Sequence, residues 1–319
     1  MDVTTADPVD LALGIPGFSY GDLYRPDQLR RLYERFCEEV ERAEPAFWAE
    51  WDAYRRAPDG PRTPLELSSL LVRMAPHVSR FVARAFGVEA QAGELQDRTQ
   101  ADDPIYRFKV DFVRRRAVPL VKGGAHPPLS NDDRAVVESL VAAECEQDAE
   151  RALAKVGCRQ LDREAGLTAQ ASEAERAELG RQIDALKRWC AARLHDPAYR
   201  SWVVFRFPEP LDYFKLVPVE RPDAQLPHEM IGPSGRLRRR DGFVLTDPRM
   251  KPREVLSEVH YCVLCHERDK DSCSKGLRGR DGTVVTNALG ITLAGCPLGE
   301  KISEAHFLRK SGAVGGGPS

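Results

Sequence analysis

Apolar side chains in the first two-thirds of the chain recur at helical intervals. From Pro26 onward, Leu29, Leu32, Tyr33, Phe36 and Val40 fall at i, i+3, i+4 and i+7 spacing, which places them on one face of a helix. Pro45 can open a second helix carrying Phe47, Trp48 and Trp51, because proline's missing N–H is no loss in a first turn. "TPLE" then supplies a cap at Thr63, proline at the first helical position and a glutamate, Glu66, able to close a capping box. That helix should continue through Leu67, Leu70, Met74, Val78 and Val82 to Gly87, kinked or split at Pro76.

A further helix is expected over Pro104 to Arg116 with Ile105, Phe108, Phe112 and Val113 inward. After "KGGAHPPLSNDD", Ser130 or Asn131 can cap a helix running through Val136 and Leu140 to Leu153. "SEAE" at Ser172–Glu175 is a second capping box, leading through Leu179, Ile183, Leu186 and Trp189. The pattern then changes. Trp202 to Phe207 is β-branched and aromatic and predicts a strand, with others at Tyr213 to Val219 and Phe243 to Leu245. Intervening prolines limit them to a short hairpin or edge pieces.

The expected architecture is therefore mainly α with a minor β component (α+β). It has a flexible lead-in (1–20), a helical module (21–200), a β-containing collar (201–250), a cysteine-rich α-helical segment (251–310) and a disordered tail (311–319).

Composition narrows the function classes. An apolar fraction of 42% and a charged fraction of 30% over 319 residues suit a globular chain with a sizeable core. A formal charge of −2 gives no whole-chain reason to expect nucleic acid as a partner. No run reaches the roughly eighteen apolar residues of a membrane span. The opening "MDVTTADPVD" is unlike a secretory signal, so a cytoplasmic location with reduced thiols is expected. "RLRRR" (Arg236 to Arg240) is the strongest basic run and reads as a solvated loop. No phosphate loop, nucleophile elbow or dinucleotide fingerprint is present, and His77, His126 and His195 are isolated.

The eight cysteines divide in two. Cys37, Cys145, Cys158 and Cys190 are scattered along helical sequence and read as buried apolar fillers. Cys262, Cys265, Cys273 and Cys296 crowd into the last fifth, spaced C-x2-C-x7-C-x22-C. In a reducing compartment such a cluster points to metal chemistry, and three readings compete.

Cys262–His266 formally fits a covalent haem motif, which leaves Cys273 and Cys296 unexplained. Four thiolates suit tetrahedral zinc, with His260 and His266 in reserve, although the spacing matches no common zinc pattern. The Cys296-Pro297 step is a habit of ferredoxin-like [4Fe–4S] sites.

"CVLCHERDKDSC" followed by "GCPLGEKISEAHFLRK" resembles the amino-terminal iron–sulfur segment of the glutamate synthase small subunit and the related domain of dihydropyrimidine dehydrogenase. More narrowly, it is similar to bacterial pyridine nucleotide-disulfide oxidoreductases with a long helical amino-terminal extension. The resemblance covers about Glu254 to Lys310. It implies that Cys262, Cys265 and Cys273 ligate one [4Fe–4S] cluster and Cys296 a second. It further implies that Leu298, Ile302 and Leu308 pack the following helix, where Ser303 replaces the family's proline and can start it by capping.

The implied role is one-electron relay to a flavin-containing oxidoreductase domain or subunit served by FAD and NAD(P)H, which lie beyond this chain. No catalytic residue is implied here. Arg268, Lys270, Lys275, Arg278 and Arg280 would offset the cluster's negative charge. The spacings depart from the family, and "GRDGTVVTNALGITL" would be an inserted hairpin shielding the site. The alternative expectation is a zinc-stabilised helical protein-interaction module without redox activity.

Overall fold

A computed structural model describes residues 11–124, 128–168, 170–208, 211–233, 242–243, 249–313 and 315. The fold is mainly helical. In chain order the helices are α1 (Pro26–Ala43), α2 (Pro45–Arg56), α3 (Pro64–Ala85), α4 (Glu89–Ala101), α5 (Asp103–Arg107), α6 (Asn131–Ala142), α7 (Ala149–Ala165), α8 (Glu173–Ala191), α9 (Pro252–Val259), α10 (Ser272–Lys275) and α11 (Ile302–Lys310). A π-helix over Phe108–Ala117 and short 3-10 turns fill in between them. Contacts divide the chain into two units that interleave in sequence. One comprises Met1–Asp103, Leu256–Val284 and Ala294–Ser319; the other comprises Pro104–Val255 and Val285–Leu293.

The first unit is built as its apolar spacing dictates. Phe36, Cys37 and Val40 of α1, Phe47 of α2, and Leu70 and Met74 of α3 make its core, with Trp48, Trp51, Tyr54, Val78 and Phe81 against it. Thr63 and Glu66 form the anticipated capping box. Pro76 does not split α3, which runs unbroken for 22 residues. Residues 11–20 are anchored: Ile15 is buried and the Gly14 N–H donates to the Ala85 carbonyl at 2.9 Å.

The second unit has Phe108, Phe112, Val113, Leu153 and Leu186 at its centre. The expected helix at Pro104 to Arg116 winds wider after Arg107, and the Val118 N–H bonds the Val113 carbonyl five residues back. α7 makes room there. A Cβ at Gly157 would stand 2.0 Å from the Phe108 ring. The single helix expected from Ser130 to Leu153 is two, α6 and α7. The chain breaks at Cys145 (φ 52°), and Asp148 caps α7 by accepting the Arg151 N–H.

The strand expected at Trp202 to Phe207 is replaced by a buried 3-10 turn, Val203–Phe205. Its Val204 N–H is taken by buried Glu150, and its side chains sit against the π-helix, with no strand beside them among the described residues. Tyr213–Val219 is not a strand either; a single antiparallel bridge, Glu220 to Ile231, follows it. Arg236 to Arg240, His126 and most of Phe243–Leu245 lie outside the described residues. Among the described residues, no helix is long and apolar enough to cross a membrane.

Candidate functional site

The cysteine-rich segment is laid against α3 in the first unit. α9 ends at Val259, and the Cys262 N–H donates back to the Val259 carbonyl at 3.1 Å. Leu264 at φ 48° then turns the chain into a 3-10 turn, Cys265–Arg268, which ends at Asp269 with φ 53°. That turn buries Cys265 and His266 and aims Asp269 at α3. The Asp269 carboxylate accepts the Leu65 N–H at 2.7 Å, filling an unpaired donor at the positive end of the helix.

Asp271 caps α10, which carries Cys273. The Cys296 N–H donates to the Cys273 carbonyl at 2.7 Å, so the two distant cysteines lie on adjoining backbones. Only glycine permits that approach at residue 295. A Cβ there would be 2.4 Å from the Ser274 carbonyl oxygen, and the residue adopts φ 91°.

α11 locks the arrangement from the other side. The Ser303 hydroxyl lies 2.7 Å from His266 Nδ1 and 3.8 Å from the Cys262 sulfur. Ser303 is therefore a buried tie within the first turn rather than the helix cap, a position held by Lys301. Lys301 pairs with buried Asp271, Lys310 donates to the Cys262 carbonyl at 3.4 Å, and the Ser68 hydroxyl of α3 donates to buried Glu304. Burial holds the Lys310 pKa below its ordinary value, against the opposing pull of Cys262 and Glu267.

These ties make a polar clasp joining α3, the cysteine turn and α11. Sequence reasoning found the cysteines and gave Ser303 a capping role, but missed Ser68, Asp269, Asp271, Glu304, Lys301 and Lys310. Of these, only Asp271, two residues before a cysteine and at a helix start, carried a local signal. Arg268 and Arg278, expected to face the cysteines, donate instead to the Val263 and Gly282 carbonyls of their own loops. Leu298 is 80% exposed and does not pack α11, whereas Leu308 is buried. The insert expected as a hairpin is two tight loops with one bridge each, Arg278 to Val284 and Thr286 to Thr292. The second of these belongs to the other unit.

The chemistry of the thiols follows from their surroundings. Cys265 is buried, and Cys262, Cys273 and Cys296 are half-buried. Burial pushes the Cys273 thiol above its ordinary pKa, and negative charge at Cys265, Cys262, Asp271 and Glu304 pushes it further. A nucleophilic cysteine needs the opposite field, one that favours thiolate. Among the described residues, no group of three or more His, Cys, Asp or Glu is arranged to hold a metal ion.

Of the scattered thiols, Cys37, Cys158 and Cys190 are buried fillers, and burial raises the Cys158 pKa to about 11. Cys145 is exposed at the α6–α7 break.

A second feature lies on the same unit. Leu29, Leu32, Tyr33 and Phe36 of α1 face Val78 and Phe81 of α3 across a groove of about 260 Å³. Leu29 and Tyr33 remain 43% and 42% exposed. A larger cavity of about 670 Å³ shares Tyr33, Phe36 and Val78 with it and extends to α11.

Fold and site together define a mainly helical protein whose amino-terminal helices carry an apolar groove and are clasped by a cysteine-bearing carboxy-terminal segment. Residues 13–87, which span α1 to α3, match the family model described as RP005 N-terminal alpha-helical domain. The chain is also similar to a Rickettsia prowazekii (strain Madrid E) protein described as uncharacterized protein RP005. The two are 22% identical over 299 residues, 88% of this chain and 93% of that protein. No solved structure matches.

These matches correct the resemblance drawn from the cysteine motif. The similarity lies with a helical family and a relative aligned along most of the chain, not with the glutamate synthase small subunit or pyridine nucleotide-disulfide oxidoreductases. The labels that came with it (oxidoreductase, iron–sulfur, electron transfer, metal-binding) fall on the same finding and on the absence of a metal-holding group among the described residues. A motif of four cysteines is short enough to recur on unrelated folds, whereas an alignment over 299 residues is not.

Proposed function

We propose that this chain is a helical protein-interaction module without redox activity, docking a partner helix in the apolar groove of α1 and α3. The observation that carries this reading is the groove itself, six apolar or aromatic side chains with its outer residues left open. A surface helix normally turns such a stripe inward; where two helices leave a stripe open between them, they offer the geometry of helix-in-groove recognition. Phe36 and Phe81 meet edge to face at 5.3 Å and give it a firm floor. The clasp helps to hold α11 against α3, where the Ser68 hydroxyl donates to Glu304.

The test uses a fluorescent amphipathic peptide with leucines at i, i+3, i+4 and i+7, followed by anisotropy. Saturable binding is expected, weakened about tenfold (about 1.4 kcal/mol) by Leu29→Asp. Circular dichroism should show unchanged helicity, since Leu29 is largely outside the core. Absence of binding, or binding that Leu29→Asp leaves untouched, would remove the groove as the docking face.

A further inference from the structure

We propose that the partner helix is acidic at one end and that its carboxylate pairs with Arg309. The inference rests on the docking reading above and names the chemistry of its occupant. The groove continues into the larger cavity through Tyr33, Phe36 and Val78, so an occupant long enough to leave the groove meets the wall formed by α11. Ile302 and Leu308 extend the apolar lining there, and Arg309 stands beside them, half-buried.

The charges around this wall are unequal. Lys301 is taken by Asp271, and Glu304 is buried beneath the surface accepting the Ser68 hydroxyl. Glu300 is exposed before the start of α11, nine residues from Arg309, which at the helical rise is about 13 Å away. Arg309 itself has no ion pair among the described residues. The next helical turn inward shows its field: His306 is held below its ordinary pKa by burial, then by the charges of Arg309 and Lys310. A guanidinium set into an apolar wall gains most from a carboxylate, which it can meet with two parallel hydrogen bonds.

α11 runs alongside α3. Glu304 lies opposite Ser68 near the start of α3, and Gly315 lies beside Ser79 further along it. Arg309 therefore sits towards the Val78 end, where groove and cavity join, and Glu300 sits at the far end. The occupant's acidic group belongs at the end that leaves the groove, one to two turns beyond the residues that fill it.

Two peptides with identical apolar positions, one ending in glutamates and one in lysines, separate the outcomes. At low salt the acidic peptide is expected to bind the wild-type protein about tenfold more tightly. The preference should vanish in Arg309→Gln and reverse in Arg309→Glu, with thermal stability of both variants checked by circular dichroism. Equal binding of the two peptides to the wild type would overturn the inference and leave the docking reading intact. Failure of both peptides would overturn the docking reading and the inference with it. Binding of dodecanoate in place of either peptide would assign the cavity to a small amphipathic carboxylate and overturn the inference as stated.

Discussion

Gly157 shows how far a single residue can set the packing of the second unit. It lies in the middle of α7, where glycine costs helix stability relative to alanine, yet a methyl there would collide with the Phe108 ring. Phe108 is fully buried and stacks on Phe112 at 5.1 Å, so it has nowhere to retreat. Gly157→Ala is expected to lose about 1–3 kcal/mol despite its better helix propensity, read as a lower urea midpoint. Asp133 carries a second prediction. The Arg188 guanidinium, joined by the Ser130 hydroxyl and N–H, holds its carboxyl at about pH 2, well below the ordinary range. A depressed carboxylate stabilises the fold above its unfolded pKa of about 4, and that contribution disappears as pH falls from there towards 2. The melting temperature of wild type should therefore fall across this window, and that of Asp133→Asn should fall less.

At the scale of elements, the helix starts were legible because capping is local. Thr63–Glu66, Ser130–Asp133 and Ser172–Glu175 all form reciprocal boxes, and each needs only four consecutive residues. Thr63→Ala should cost about 1 kcal/mol, with α3 fraying first in hydrogen exchange. Asp269 reaches the first turn of the same helix from the cysteine loop, a tie no local reading could supply. Asp269→Ala is expected to open residues 262–276 to limited proteolysis while the α6–α8 amides keep their protection. The elements misread were those decided by neighbours. Trp202 to Phe207 has strand composition but meets a helical surface and buried Glu150, so it coils into a 3-10 turn. The π-helix arises where Phe108, Phe112 and Val113 must all be buried at once, a demand written in the packing. α4 has no strong apolar stripe, and only Thr99 among its residues is buried, so periodicity passed over it.

For the whole molecule, the clasp predicts that the first unit holds together without metal. Prolonged EDTA treatment should leave its melting temperature unchanged within about 2 °C, a shift equivalent to about 1 kcal/mol for a chain of this size. A large fall on chelation would show that the four thiols depend on an ion. Ser68→Ala should instead lower stability by about 1–3 kcal/mol, because it leaves the Glu304 carboxylate buried without its donor. The sequence by itself determined the helical class, the register of α1 to α3, the caps and the gathering of four cysteines near one end. Those properties depend on nearest neighbours and on spacing along a single helix. How the cysteine turn is held, which face of α1 stays open, and which charge at α11 goes unmatched depended on segments more than 200 residues apart meeting, as Ser68 meets Glu304. Only the tertiary structure could decide them, because burial and electrostatic pairing are properties of the space around a side chain, and that space is filled by distant parts of the chain.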